Sequence, residues 1–210
     1  MAELILGSTT AISESGGTLT FGGGATDVAK IASGAFSSVN YIDIQGCFTS
    51  DYKFYKLHAG GFASVDTAHM RVGYLNSSNA HITSANYIMK GFEIKNASSS
   101  GASRWTEAPT TGTRGPQTDT SGFRIINTWT HEYGSTGFEG QTLDFTFYDP
   151  LVTEKQMVSW ESTFNQSGYV GRTMYFGMHD STLAAHGIRM ILTTGNFEAK
   201  GHWVLHGYKI

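Results

Sequence analysis

Eight histidines are among the side chains of this sequence that could hold a metal ion or move a proton. His202 and His206 lie four residues apart on a predicted strand, so both side chains point to one face. These two imidazoles could bind a metal if Asp180 or His179 approached from a neighbouring strand. Polar residues on the wetter face of a terminal strand give the same pattern, and we favour that interpretation. The sequence therefore predicts no metal site and no cofactor.

The carboxylates are the next candidates for chemistry, because hydrolysis of a glycan needs two of them facing each other across the sugar. Asp144 and Asp149 fall in one predicted strand and its exit, while Glu154 and Glu161 fall around another. Their spacing does not distinguish them from ordinary solvated positions. No G-x-S-x-G motif occurs, and the glycines at 22–24 are not followed by Gly-Lys-Ser/Thr. We therefore predict that the protein is not an enzyme.

Aromatic rings could instead bind a sugar or a protein surface. Three of the four tryptophans fall inside strand patterns and are predicted to be core residues: Trp129, Trp160 and Trp203. Trp105 differs, because it stands between Arg104 and Glu107 in the segment 97–122, which has no apolar periodicity and is predicted to be a long loop. These three residues are the candidate surface-contact residues, for a ligand or for a neighbouring subunit.

Strands must position all of these residues, since apolar side chains alternate with polar ones after residue 25. The strands predicted from this alternation are 39–44, 52–57, 70–74, 87–94, 123–129, 143–147, 157–164, 170–178, 188–192 and 203–208. The first four are predicted to pair as antiparallel neighbours. This pattern predicts an all-β protein, an antiparallel jelly-roll-type β-sandwich over residues 25–210.

Composition supports this fold class and excludes several partners. The chain has 26 Gly and 3 Pro, and only 15% of its residues are charged, so much of its surface is uncharged, as is common where subunits touch. A net charge of -3 without a Lys/Arg run predicts no nucleic-acid partner. Cys47 is the single cysteine, so no intrachain disulfide forms. No apolar run is long enough for a membrane-spanning helix, so no membrane insertion is expected.

The N-terminal segment 1–24 is predicted to be an assembly arm. Its short apolar pieces are separated by Ser, Thr and Gly, and they consist of Leu4, Ile5 and Leu6, then Leu19 with Phe21. Such pieces cannot bury a core alone, so the arm is expected to pair with a neighbouring subunit. A flexible leader is the alternative.

The C-terminal segment HGIRMILTTGNFEAKGHWVLHGYKI resembles the closing pair of strands in bacteriophage tail and virion β-sandwich domains. The residues that carry the resemblance are Gly187, Ile188, Arg189, Gly195, Asn196, Phe197, Gly201, Leu205, Gly207 and Tyr208. The Gly195-Asn196 pair suits a two-residue hairpin turn with positive φ. The earlier segment DYKFYKLHAGGFASVDTAHMRVGYLN looks like the central hairpin of the same family. The resemblance implies a fold and a virion context, and no catalytic residues.

The functional prediction follows from this resemblance. We expect a structural component of a bacteriophage virion, in the tail fibre, tail tip or adaptor, acting in assembly and host-surface contact. It would be synthesised in the host cytoplasm and work as a homo-oligomer, with a trimer expected, alongside other virion proteins. A host-surface glycan is a further candidate partner. One alternative is a capsid decoration protein, and another is a carbohydrate-binding module or glycan hydrolase.

Overall fold

The computed structural model describes residues 2–6, 9–15, 18–21, 28–62, 68–83, 87–96, 103–107, 117–125, 141–166, 169–180 and 184–209. Their strands are β1 (Ala2–Leu6), β2 (Thr9–Ser15), β3 (Thr18–Phe21), β4 (Val28–Ala35), β5 (Tyr41–Ile44), β6 (Phe54–Phe62), β7 (Met70–Leu75), β8 (Tyr87–Asn96), β9 (Ser103–Glu107), β10 (Gln117–Asp119), β11 (Phe123–Arg124), β12 (Gln141–Tyr148), β13 (Gln156–Gln166), β14 (Tyr169–His179), β15 (Gly187–Leu192) and β16 (His202–Tyr208). These ranges contain no helix, and therefore none that could cross a membrane.

The strands form three antiparallel sheets. The largest has nine strands in the order β10-β8-β14-β13-β12-β6-β16-β4, with β9 also paired to β8. A second sheet has the order β11-β7-β15-β5, and the first three strands form a separate sheet in the order β1-β2-β3. The nine-stranded and four-stranded sheets pack together, which confirms the predicted all-β sandwich. Their strand order does not confirm jelly-roll connectivity.

Several predicted pairings are wrong because consecutive strands alternate between the two packed sheets. β5 and β7 belong to the four-stranded sheet, whereas β6 and β8 belong to the nine-stranded sheet. The four strands predicted to be antiparallel neighbours therefore do not pair with one another. The two hairpins implied by the phage resemblance fail for the same reason, since β6 and β7 lie in different sheets, as do β15 and β16. Gly195 has the expected positive φ of 65°, but in a longer connection between sheets.

Aromatic side chains fill the space between the two sheets. Trp160 of β13 stacks on Phe145 and on Tyr175, with each pair of ring centroids 5.2 Å apart and the planes within 9° of parallel. Phe123 of the four-stranded sheet lies 5.7 Å from the same indole. The Trp160 Nε1–H donates to the carbonyl oxygen of Ile125 over 3.2 Å. The core prediction for Trp160 is therefore confirmed, and this column ties three adjacent strands to the opposite sheet.

A buried acid joins the edges of the two sheets. Asp119 of β10 is 7% exposed and accepts from Arg71 Nε at 2.9 Å and from Arg124 Nη2 at 3.3 Å. The backbone N–H of Ser121 donates to the same carboxylate at 3.0 Å. β10 belongs to the large sheet and both arginines belong to the small one, so one carboxylate fixes the corner of the sandwich.

The segment 97–122 is not one long loop, which corrects the prediction. Within it, β9 pairs with β8 opposite residues 92–96, and β10 pairs with β8 opposite residues 87–89. These short strands are held by backbone hydrogen bonds to the edge of β8. Such pairing does not require apolar side chains at alternate positions, so sequence analysis did not detect them.

Candidate functional site

The side of the nine-stranded sheet that faces away from the four-stranded sheet carries the largest group of exposed apolar side chains. We call this side the outer face. Six side chains there are exposed and apolar: Val28, Phe92, Tyr148, Met157, Met174 and Phe176. Each is 42–53% exposed. An exposed apolar group of this kind is typical of surfaces that contact another molecule.

One row of the outer face is apolar from β8 to β4, and Thr118 of β10 continues this row beyond Ile88. Strand register places its members side by side across seven strands: Ile88, Met178, Met157, Tyr148, Phe54, Tyr208 and Val28. The Phe54 and Tyr208 rings stack with centroids 4.6 Å apart. These residues come from β8, β14, β13, β12, β6, β16 and β4.

Two polar rows lie beside this apolar row. The first is basic at its margins and contains Lys90, Phe176, Ser159, Thr146, Lys56, His206 and Lys30. The second has its acidic residues near the centre and contains Phe92, Met174, Glu161, Asp144, His58, Val204 and Ser33. A fourth row, mainly of small and polar residues, runs from Arg172 through Thr163, Thr142 and Gly60 to His202 and Ala35.

The structure brings together two carboxylates that the sequence left scattered. Asp144 of β12 stands directly opposite Glu161 of β13. Each carboxylate already has a cationic or polar partner, because His58 Nδ1 contacts Asp144 and the Arg172 guanidinium contacts Glu161. Both pairs lie on the solvated sheet surface. This arrangement suits hydrogen bonding to a bound surface better than proton transfer inside an apolar pocket.

A groove of about 490 Å³ lies over this carboxylate pair. Phe92, Met174 and Phe176 form its apolar wall. The hydroxyls of Thr146 and Ser159 lie along the groove beside the two acids. Its size and mixed lining would accept a small ligand or a protruding side chain of another protein.

His202 and His206 of β16 lie on the same outer face. His179 and Asp180, which were considered as further metal ligands, lie at the end of β14, four strands away. His206 and His58 have ring centroids 5.7 Å apart, and burial, then His58 and Lys30, lower the pKa of His206. His179 is buried in the core on β14, and Asp180 contacts Lys155 instead. Within the described ranges, no group of three or more His, Cys, Asp or Glu side chains could hold a metal.

The predicted surface-contact residues lie on β9, which pairs with β8 at one edge of the same nine-stranded sheet. β9 carries Arg104, Trp105 and Glu107, with Trp105 opposite Ile94 in the backbone pairing. Their role as contact residues stays a prediction. Trp203 is partly buried and packs against the core from β16, as predicted. Trp129 lies outside the described residues.

The sequence carries one further signal for the outer face. Large apolar residues stand at the solvent-facing positions of the strand alternation, where polar residues are expected: Tyr148, Met157, Met174 and Phe176. In β12 and in β14, apolar side chains therefore occur on both faces of the strand. Such doubled apolarity in an antiparallel sheet indicates a second covered face.

Comparison with known proteins adds little to this description. No protein-family model matches the chain, and no curated protein matches it. Among solved structures, "Structure of infectious bursal disease virus Gx strain" shows 9% identity and a TM-score of 0.14 over 95% of this chain and 46% of that chain. "Structure of infectious bursal disease virus Gt strain" shows 7% identity and a TM-score of 0.12 over 97% and 49%. The chain thus spans about half the length of these viral chains, and likeness this faint carries no argument.

Proposed function

We propose that this chain is a structural component of a bacteriophage virion, acting in the tail fibre, tail tip or adaptor region. Its work would be assembly and host-surface contact, without enzymatic activity, as a homo-oligomer among other virion proteins. One observation carries the proposal: a rigid sandwich exposes a broad, partly apolar sheet face where a monomeric protein would place charged residues. The sequence resemblance supplies the bacteriophage context. A capsid decoration protein would need the same features.

The N-terminal sheet supports the assembly role. β1 and β3 each pair only with β2 among the described strands, so the outer edges of both have backbone groups available for pairing. An edge of this kind can add to the sheet of a neighbouring subunit. We therefore propose that residues 1–24 dock this chain on a partner. Deletion of residues 1–24 should leave the sandwich folded and reduce incorporation into particles. Normal incorporation would show that the segment is only a leader.

Labelled antibodies against this protein, applied to intact phage particles for electron microscopy, test the proposed location directly. We expect label on the tail or its tip. Label distributed over the capsid would favour the decoration alternative. Particles without label, from lysates in which the protein is abundant, would overturn the virion proposal altogether.

Carbohydrate binding or hydrolysis is the second candidate, because Asp144 and Glu161 stand opposite each other beside the aromatic wall of the groove. Side chains directly opposite in antiparallel strands have Cβ atoms about 5 Å apart, so both carboxylates are within reach of one bound sugar. The test is release of reducing sugar from host surface polysaccharide. Activity lost in Glu161→Gln and Asp144→Asn would establish a hydrolase.

A further inference from the structure

We propose that the outer face of β4, β6 and β16 binds a saccharide unit that carries a carboxylate or phosphate group. This site lies at the β4 edge of the nine-stranded sheet, whereas the groove over Asp144 and Glu161 lies on β8, β14, β13 and β12. The inference rests on the proposed host-surface contact, for which it names a place and a class of ligand.

The three strands carry basic side chains and no acidic ones. We call Lys30, Lys56, His58, His202 and His206 the basic patch. Strand register places Lys56 of β6, His206 of β16 and Lys30 of β4 side by side in one row. Burial, then His58 and Lys30, lower the pKa of His206, so its cationic neighbours already oppose a further positive charge. Like charges directly opposite each other destabilise a sheet, and an anion bound over this row would reduce the repulsion.

The protein's own carboxylates neutralise only part of the basic patch. His58 Nδ1 contacts Asp144 of β12, which leaves the other ring nitrogen, Nε2, for a different partner. Lys56 lies over the Tyr208 ring, 5.6 Å from its centroid. Within the described ranges, neither Lys30 nor Lys56 forms an ion pair with a carboxylate. A single exposed lysine is usually just solvated, but two lysines and three histidines on one surface favour an anionic ligand.

A depression of about 690 Å³ lies within the basic patch. Lys30, His58 and His202 line it, so ammonium and imidazole N–H groups can donate into this space. Ser33 and Gly60 line it as well, and their small size leaves room between the basic groups. Pockets for small molecules have volumes of about 300–1,000 Å³, so the depression suits a ligand of that kind.

The dimensions of the basic patch favour a sugar over a bare ion. The patch is about 10 Å wide, because the row from Lys56 to Lys30 crosses two strand spacings. It is about 13 Å long, since His202 and His206 are four residues apart on β16. A lone carboxylate or phosphate can contact only part of this surface. The Ser33 hydroxyl lines the same depression and can bond to a sugar hydroxyl.

Isothermal titration calorimetry of the intact chain at pH 6, where histidines carry part of their positive charge, tests the ligand class. The probes are glucuronate, glucose 6-phosphate, glucose and inorganic phosphate. Charge-assisted hydrogen bonds favour the two sugar anions, so we expect both to bind at least about 10-fold more tightly than glucose. Glucose binding as tightly as the sugar anions, or no binding of either anion, would overturn the proposal. Inorganic phosphate binding as tightly as glucose 6-phosphate would overturn the assignment to a saccharide.

A matched pair of lysine variants tests the location. Lys30 and Lys90 are both exposed on the outer face, but β8 lies six strand spacings from β4, about 29 Å. Lys30→Gln should weaken the binding of glucuronate about 10-fold, because one charged donor is lost. Lys90→Gln should bind as the unmodified protein does. Equal effects of the two substitutions, or no effect of Lys30→Gln, would contradict the proposed site.

Substitutions of Gly60 test whether the ligand occupies the depression. A Cβ at Gly60 would have its nearest contact at 4.0 Å, the carbonyl oxygen of Gln141, which is an ordinary van der Waals distance. Gly60→Ala should therefore keep glucuronate binding, whereas the ring of Gly60→Phe should fill the depression and abolish it. Urea unfolding shows whether both variants fold, and the lysine pair decides the question if Gly60→Phe does not. Unchanged binding by folded Gly60→Phe would refute the site.

Binding in solution and location on particles are separate results. A protein that binds the sugar anions at the basic patch but is absent from phage particles would keep this inference and overturn the virion proposal. Antibody label on the tail, together with no binding of either sugar anion, would overturn this inference alone.

Discussion

Two buried tyrosines in adjacent positions of the core should respond in opposite directions to the same substitution. The Tyr74 hydroxyl is buried, and it has no hydrogen-bond partner among the described residues. Burial raises its pKa well above the usual value. The Tyr87 hydroxyl, by contrast, donates to the carbonyl of Ile82 over 2.9 Å and accepts from the backbone N–H of Tyr74 over 3.0 Å. The two rings lie 6.1 Å apart in the same environment.

Replacement of each tyrosine by phenylalanine isolates its hydroxyl. An unpaired buried hydroxyl costs about 1–3 kcal/mol, so Tyr74→Phe should raise the free energy of unfolding by about 1 kcal/mol after the small void is counted. Tyr87→Phe leaves a buried carbonyl and a buried N–H unpaired and should lower it by about 1–3 kcal/mol. The two variants should therefore differ by about 2 kcal/mol or more.

Urea unfolding followed by circular dichroism measures both values, and unchanged m-values would show that the comparison is of stability alone. The reasoning fails if Tyr74→Phe lowers the free energy of unfolding by more than about 1 kcal/mol, because the hydroxyl would then have a partner. It also fails if Tyr87→Phe is neutral.

Three further predictions concern single buried sites, and the last has the exposed Gly46 as its control. Burial lowers the pKa of His179 from 6.5 to about 4, so the unfolded chain binds the additional proton and stability is lost as the pH falls from about 7 to about 4. The loss should be about 3 kcal/mol, and urea unfolding of His179→Gln at both pH values should lack this part of the pH dependence. Burial raises the pKa of Cys47 to about 12, so mass spectrometry should find no iodoacetamide adduct on the native protein at pH 8 and full labelling in urea. A Cβ at Gly91 would overlap the Met174 carbonyl and the Tyr175 ring, so Gly91→Ala should lower the urea midpoint by an amount equivalent to about 2 kcal/mol. At Gly46 no atom lies within 4 Å of the position that a Cβ would take, so Gly46→Ala should cost only the strain of its positive φ, about 1 kcal/mol.

The amino-acid sequence by itself determined most of the long strands and which of their side chains point inward, although it missed β4, β9 and β10. In β12, Leu143, Phe145 and Phe147 alternate with polar residues, and all three are buried in the structure. Trp160 was likewise assigned to the core from its place in an apolar alternation. A period of two residues reports the face of a strand, because successive side chains point to opposite sides of the sheet. This two-residue period is visible in the sequence wherever one face of a strand packs on a core.

Only the tertiary structure decided which strands are neighbours. Asp144 and Glu161 are seventeen positions apart and became a cross-strand pair only through the register of β12 and β13. The apolar row assembles residues from Val28 to Tyr208, and no local pattern connects them. The physical reason is that alternation carries no information about the partner strand. Pairing is chosen by how the two sheets fill the core between them, and here that choice sends the consecutive strands β5 to β8 alternately to opposite sheets.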